Sequence, residues 1–373
     1  MSGADFLVIG GGIAGLSAAA SLAAHGRVLV LEAEEALGYH SSGRSVAFSH
    51  YGIGDAAVRG LTAWSHACFE ADPILARTAG SLYFADEASR PRLNALGAGM
   101  ARFTDAIETV DAGGIARLCP ALRTGGGGAV TGLYDPTGLK LDADALLQKY
   151  AKDIRAKGGH ILTGRRITAI EPAWSVRTEA GERHEAPILI DAAGSWADRI
   201  AALAGVDPLG LSPRRRTIIV VDPPAGAETA DWPFVHSAAG DFYMLPEAGR
   251  LLVSPVDEIE DDPGDAAPED YDVALAADRL EHYTNVPVTR IAHRWAGLRT
   301  FTRDRVPTAG FAPDAPGFFW LAGQGGYGFQ TAPAMAAAVE SLIAGTPWPD
   351  GLAALGVTAG TIGPERLRAD ACC

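Results

Sequence analysis

The stretch Asp5-Phe6-Leu7-Val8-Ile9-Gly10-Gly11-Gly12-Ile13-Ala14-Gly15, continued through an alanine-rich segment to Val28-Leu29-Val30-Leu31-Glu32, decides the fold of this chain. Phe6 to Ile9 read as a buried strand, because a parallel strand covered on both faces needs no polar alternation. A glycine turn, a segment of helical composition, a second apolar run and an acid follow. That order is a βαβ dinucleotide-binding unit. Gly10 permits the tight turn, Gly12 lets a pyrophosphate approach the backbone, and Gly15 lets helix and strand pack closely. Ile13 and Ala14 complete the cofactor-facing turn. Glu32 stands about 20 residues on, where a carboxylate accepts hydrogen bonds from a ribose. A glycine turn of purely structural use is the competing reading, and its flanking strands weigh against it.

At 373 residues the chain has room for a large core and more than one domain, and 48% hydrophobic with 20% charged residues fits a soluble globular protein. A net charge of −14, with no basic run beyond Arg214-Arg215-Arg216, argues against a nucleic-acid partner. No apolar run is long enough for a membrane span, and no basic segment precedes the opening apolar residues as a secretory signal requires. A cytoplasmic location is expected, with peripheral attachment to an inner membrane left open. Cys68 and Cys119 are isolated and Cys372-Cys373 adjoin at the tail, so no metal site is expected. The role of the terminal pair is open.

Gly38 to Gly54 lacks periodicity. Helices are expected over Ala56–Glu70, Glu87–Thr109 and Asp142–Ile154, the last capped by Asp142, with a short strand at Ser81–Phe84. Ile161-Leu162, Ile167–Ile170, Trp174–Thr178 and Ala186–Asp191 read as strands. Thr217 to Thr300 shows short alternating strands and turns, an antiparallel sheet in a separate domain. Near the end, Gly317-Phe318-Phe319-Trp320-Leu321-Ala322 is another buried strand, entering Gly323-Gln324-Gly325-Gly326-Tyr327-Gly328 and a helix to about Ala344. Strand, glycine cluster and helix thus occur at both ends. Their helix N-termini can face two parts of one ligand, the second placing amides near Gly328, Phe329 and Gln330 against an electron-rich ring.

Five ordered motifs carry a resemblance over nearly the whole chain. They are the opening fingerprint, His40-Ser41-Ser42-Gly43-Arg44-Ser45, Ala192-Ala193-Gly194-Ser195-Trp196, Trp295-Ala296-Gly297-Leu298-Arg299 and Gly323 to Gly328. Together they resemble the FAD-dependent D-amino-acid oxidase family, the glycine and sarcosine oxidase family, and within it bacterial D-amino-acid dehydrogenases of the D-arginine type. The resemblance implies an α/β Rossmann-type FAD-binding domain (1–75, 138–206 and 303–373) with a separate antiparallel-sheet substrate domain (76–137 and 207–302). It implies non-covalent FAD, with Glu32 on the adenosine ribose, Ser41, Ser42, Gly43, Arg44 and Ser45 along the cofactor, and Ile167 at the adenine. Ala193, Gly194 and Trp196 belong to the same site, and Gly325, Gly328, Phe329 and Gln330 meet the isoalloxazine.

For the substrate, the resemblance implies that Arg299 grips a carboxylate, Tyr243 supports it, Arg216 stands nearby and the Gly326 backbone receives the amine. A surface ion pair competes for Arg299 and an ordinary half-buried sheet position for Tyr243. The arginine triplet leaves the register of Arg216 open, and His40 either orients the loop or is structural. Phe48, Ile53 and Ser81 stand where the arginine-type relatives carry a histidine, a tyrosine and an acid. That loss of polarity favours a neutral or apolar substrate side chain, although His50, Tyr51 and Glu70 lie nearby. The implied activity is oxidative deamination of a D-amino acid by hydride transfer to flavin N5, giving the imino and then the 2-oxo acid. Oxygen or a respiratory carrier is the acceptor. A glycine- or sarcosine-type secondary-amine oxidase is the alternative.

Overall fold

Six strands build one sheet in the order Thr308–Phe311, Phe318–Ala322, Ile188–Asp191, Phe6–Ile9, Val28–Leu31 and His160–Leu162 in this computed structural model, which describes residues 3–368. All neighbours are parallel except the pair Thr308–Phe311 and Phe318–Ala322. The opening strand lies inside the sheet, and all four of its residues are buried. The helix Ile13–Leu22 packs against helices Gly328–Ala344 and Ala143–Ala156. Its small residues Ala18, Ala19 and Ala20 are buried, so neighbouring backbones come close. Another core gathers Leu7, Leu189, Ile200 and Trp320. The first and last strand–glycine–helix units therefore stand in one sheet.

Ile167–Glu171 and Ser175–Thr178 leave this sheet and pair antiparallel with Arg183–Glu185. A nine-stranded sheet carries the rest, with Ser212–Val221 and Ile291–Phe301 as its longest pair. It is antiparallel apart from Phe234–Ser237, which runs parallel to Ser81–Ala85. Its buried face collects Phe242, Met244, Val253 and Leu280. Phe48–Ser49 joins a small sheet with Leu139–Leu141 and Ala76–Thr78.

Two expectations change. The helix expected over Glu87–Thr109 spans only Arg90–Met100, and Glu108–Asp111 is a strand beside Thr131–Asp135. Asp111 ends that strand by accepting from Gly114 N at 2.7 Å, capping a further helix, Ala112–Leu118. Within the region read as strands, Asp270–Tyr283 is helical and buries Val273, Ala276 and Leu280 at helical spacing. The capping expectation holds, since Asp142 accepts from Ala145 N at 2.9 Å ahead of helix Ala143–Ala156. Cys372 and Cys373 lie outside the described residues. Among those described, no helix is long and apolar enough to cross a membrane.

The glycine turn is set by contact. Gly10 has φ +111°, and a Cβ there would stand 2.4 Å from the Ala192 carbonyl oxygen; at Gly15 it would stand 2.0 Å from the Gly10 oxygen. Gly15→Ala must push the helix off its strand. The expected result is a loss of about 1–3 kcal/mol in denaturant unfolding together with weaker cofactor retention. An unchanged midpoint and full retention would contradict this packing.

Candidate functional site

Three adjoining cavities run along the edge where the glycine turns gather. The first, about 1200 Å³ of empty space and partly open, is bounded by Gly12, Glu32, Ile167, Gly194 and Trp196. The second shares Gly12, Ser41, Ser42, Ala192 and Gly194 with it and continues to Arg299, Gly325 and Phe329. The third shares Arg216, Tyr243, Arg299 and Gly326 with the second and runs on between Phe48, His50, Tyr83 and His236. An elongated ligand therefore has a continuous path from Glu32 to Arg299.

Backbone geometry explains the first part. The Glu32 carboxylate accepts from Gly11 N at 2.6 Å and from Glu34 N at 2.8 Å, which braces the glycine turn and fixes the acid at the cavity wall. Ser42 Oγ accepts from Ile13 N at 3.0 Å, so the loop after the second strand caps the opening helix. A Cβ on Gly194, at φ +59°, would meet nothing within 4 Å, so this glycine serves the turn and leaves the cavity open. A dinucleotide fits this set: a helix N-terminus with no acidic side chain in its first turn, an acid at one end and a second helix start, Gly328–Ala344, at the other.

The 38–45 loop is also tied to the nine-stranded sheet. Ser41 Oγ donates to Leu298 O at 2.6 Å, and Trp295 Nε1 donates to Arg44 O at 3.1 Å. Arg44 lines the second cavity, but its guanidinium donates to Ala266 O and Ala296 O and pairs with Asp265. Its charge thus ties loop to sheet. Gly43 shapes the loop without lining a cavity; its N–H donates to Gly38 O at 2.6 Å, and a Cβ would collide with that same oxygen. Gln330 faces the third cavity and donates to Thr62 Oγ1 at 2.7 Å. His40 pairs with Glu34 Oε1 at 3.0 Å and packs on Trp196 at 4.6 Å, on the first cavity.

The arginines differ in how their charge is met. Strand alternation resolves the triplet: Arg215 meets Asp261, Glu269 and Asp272, while Arg216 faces the cavities. Arg216 is buried, donates to Asp257 O at 2.7 Å and pairs with Glu258 Oε1 at 3.1 Å. Burial first, and then the neighbouring Arg299 charge, hold its pKa down to about 10. Arg299 is half-buried, and its one close polar contact is Tyr243 Oη at 3.5 Å; among the described residues it has no ion-pair partner. A Cβ on Gly326 would stand 3.0 Å from its Nη1, so the glycine leaves the guanidinium clear. A cation with unspent donors in a cleft is an anion receptor.

Phe48 and Ile53 line the third cavity as expected. Ser81 does not: it is fully buried, two residues before Tyr83, which does reach the cavity. Tyr83, Phe234 and His236 were not legible as pocket residues, because the parallel pairing of their strands, with His236 opposite Tyr83, is a long-range event. The alternation around Pro233-Phe234-Val235-His236 marks a strand but not its neighbour. His50 Nδ1 and Tyr83 Oη lie 2.7 Å apart, and burial together with Arg59 pushes the His50 pKa down to about 3.

The sequence matches the family described as DAO, FAD dependent oxidoreductase, over residues 5–342. FAD-dependent oxidoreductase domain-containing protein 1 of Bos taurus is 28% identical over 179 residues, 43% of this chain and 36% of that protein, so the chain spans about a third of this relative's length. L-proline dehydrogenase from P. horikoshii superposes with TM-score 0.84 at 21% identity, covering 98% of both chains. Glycine oxidase from Geobacillus kaustophilus gives 0.80 at 20% identity, over 95% of this chain and 98% of that one.

His50 also makes stability depend on pH. Its imidazole stays neutral in the fold down to about pH 3, whereas in the unfolded chain it takes up a proton near its ordinary value. Protons therefore favour unfolding in between, and stability falls as pH drops from about 6.5 towards about 3. His50→Phe should lessen the fall in urea midpoint between about pH 7 and about pH 4; an equal fall in both proteins would refute the neutral assignment.

Proposed function

The chain belongs to the DAO family of FAD dependent oxidoreductases, and on that premise we propose that it oxidises the α-carbon of a D-amino acid with an uncharged side chain. The observation that carries this reading is Arg299, a guanidinium without an ion-pair partner among the described residues, at the junction of the second and third cavities. Such a group holds a carboxylate in fixed orientation through parallel charge-assisted hydrogen bonds.

In this reading the residues of the first two cavities would hold FAD. Glu32 takes the ribose, Gly12, Ile13, Ala14, Ser41 and Ser42 border the pyrophosphate, and Ile167, Ala193, Gly194 and Trp196 enclose the adenosine half. Gly325, Gly328 and Phe329 border the ring, where the positive end of helix Gly328–Ala344 favours negative charge. Neither Cys68 nor Cys119 lines the three cavities, in keeping with non-covalent binding. Bound FAD supplies the two-electron acceptor for the substrate Cα–H.

The chain's own residues orient and exclude. Arg299 and Tyr243 fix the carboxylate. Arg216 stands beside the clamp, held by Asp257 and Glu258 so that it does not swing into the site. The Gly326 backbone stands beside Arg299 and receives the amine. Among the described residues no aspartate or glutamate lines the third cavity, so a cationic side chain would be buried without a counter-charge. The imine formed hydrolyses in water to a 2-oxo acid and ammonia. Oxygen or a respiratory carrier reoxidises the enzyme, and the cytoplasm is the proposed location.

Anaerobic bleaching of the flavin by a panel of D- and L-amino acids, glycine and N-methyl amino acids tests this reading. Neutral D-amino acids should bleach fastest, and D-arginine slowly. Faster reduction by glycine or sarcosine would move the assignment to the secondary-amine oxidase alternative. Arg299→Ala should raise KM by about 100-fold or more with FAD still bound; an unchanged KM removes the clamp.

A further inference from the structure

The inner end of the third cavity is built from polar rings, and neither the cofactor nor the carboxylate clamp uses them. His50, Tyr83 and His236 come from a loop and two neighbouring strands. Tyr83 stacks on His236 with ring centroids 4.5 Å apart and planes at 8°, Phe234 backs the same imidazole at 4.0 Å, and His50 lies 5.0 Å from it. All four rings line the cavity, and so does Ile53.

A neutral imidazole carries one N–H donor and one lone pair. His50 spends its Nδ1 on the Tyr83 hydroxyl. His236 keeps its Nε2 shut away from solvent and without a partner. Burial, followed by His50, Arg299 and Arg216, holds the His236 imidazole well below its ordinary pKa, so it is a neutral hydrogen-bonding group. An aliphatic or phenyl side chain filling this space would leave that nitrogen unpaired, whereas a polar tip that reaches it would satisfy it and gain affinity. A cationic side chain would meet Arg216 and Arg299 with no carboxylate in the cavity wall.

Resting on the amino-acid reading above, we propose that this end selects a side chain that is uncharged but ends in a hydrogen-bonding group. His236 and His50 would contact that group, and a phenol suits the aromatic walls best. Tyr83 is a positioning residue, holding His50 by its hydroxyl and His236 by stacking. Such a pocket discriminates against the analogue that merely lacks the polar tip, because the wall group is then left unpaired.

The test uses the FAD-loaded enzyme and pairs that differ by one hydroxyl. Tyrosine should reduce the flavin with kcat/KM about 10–100-fold above phenylalanine of the same configuration. The same ordering should appear in calorimetric Kd values for 3-(4-hydroxyphenyl)propionate and 3-phenylpropionate, which lack the amine and cannot be oxidised. His236→Phe should bring both ratios towards one, and His236→Gln should retain part of the preference. Should His236→Phe fail to fold, His236→Gln and Tyr83→Phe, each with a smaller ratio than the parent, carry the same test. Equal use of both amino acids, or a ratio that survives in every variant, overturns the inference alone. Reduction by no amino acid at all removes the underlying reading and this inference with it.

Discussion

Contact between the Gly10 carbonyl, the Gly15 backbone and the Ala192 carbonyl is the constraint on which the rest depends. With no Cβ at either glycine, the first helix begins directly against the end of its strand, and the Ile188–Asp191 strand closes in beside it. That closeness puts a helix N-terminus at the edge of the parallel sheet, where strand ends and turns leave a crevice. Glu32 then locks the turn from the next strand. A bulkier turn would move every one of these groups.

From that edge outward, charge is placed by contrast. Arg215 and Arg216 are adjacent in sequence, yet both are neutralised by acids on opposite sides of their strand. Arg299, opposite Arg214 on the paired strand, is left without a carboxylate of its own among the described residues. Compensating Arg216 with its own acids spares Arg299 the repulsion of a second free cation. The protein has placed one unmet positive charge where the cavities join.

Local patterns made much of this legible. Apolar runs of four residues beside glycines marked the parallel strands, and the fingerprint located the turn that the contacts at Gly10 and Gly15 explain. Phe48 and Ile53 were found through the resemblance. What stayed hidden depends on pairing between distant segments: the parallel union of Phe234–Ser237 with Ser81–Ala85 brings His236 beside Tyr83, and no residue in either segment announces it. The same pairing buries Ser81, so a residue expected in the pocket lies in the wall behind it. The helix Asp270–Tyr283 was masked by the acids and prolines before it, although Val273, Ala276 and Leu280 carried its period.

The loop from Gly38 to Ser45 has obligations on both sides. Ser42 caps the first helix, while Ser41 and Arg44 bond to the strand that bears Arg299. It acts as a shared plate, so a change that moves it bears on both sheets at once. A substitution that loosens it for a different nucleotide also shifts the strand under the clamp.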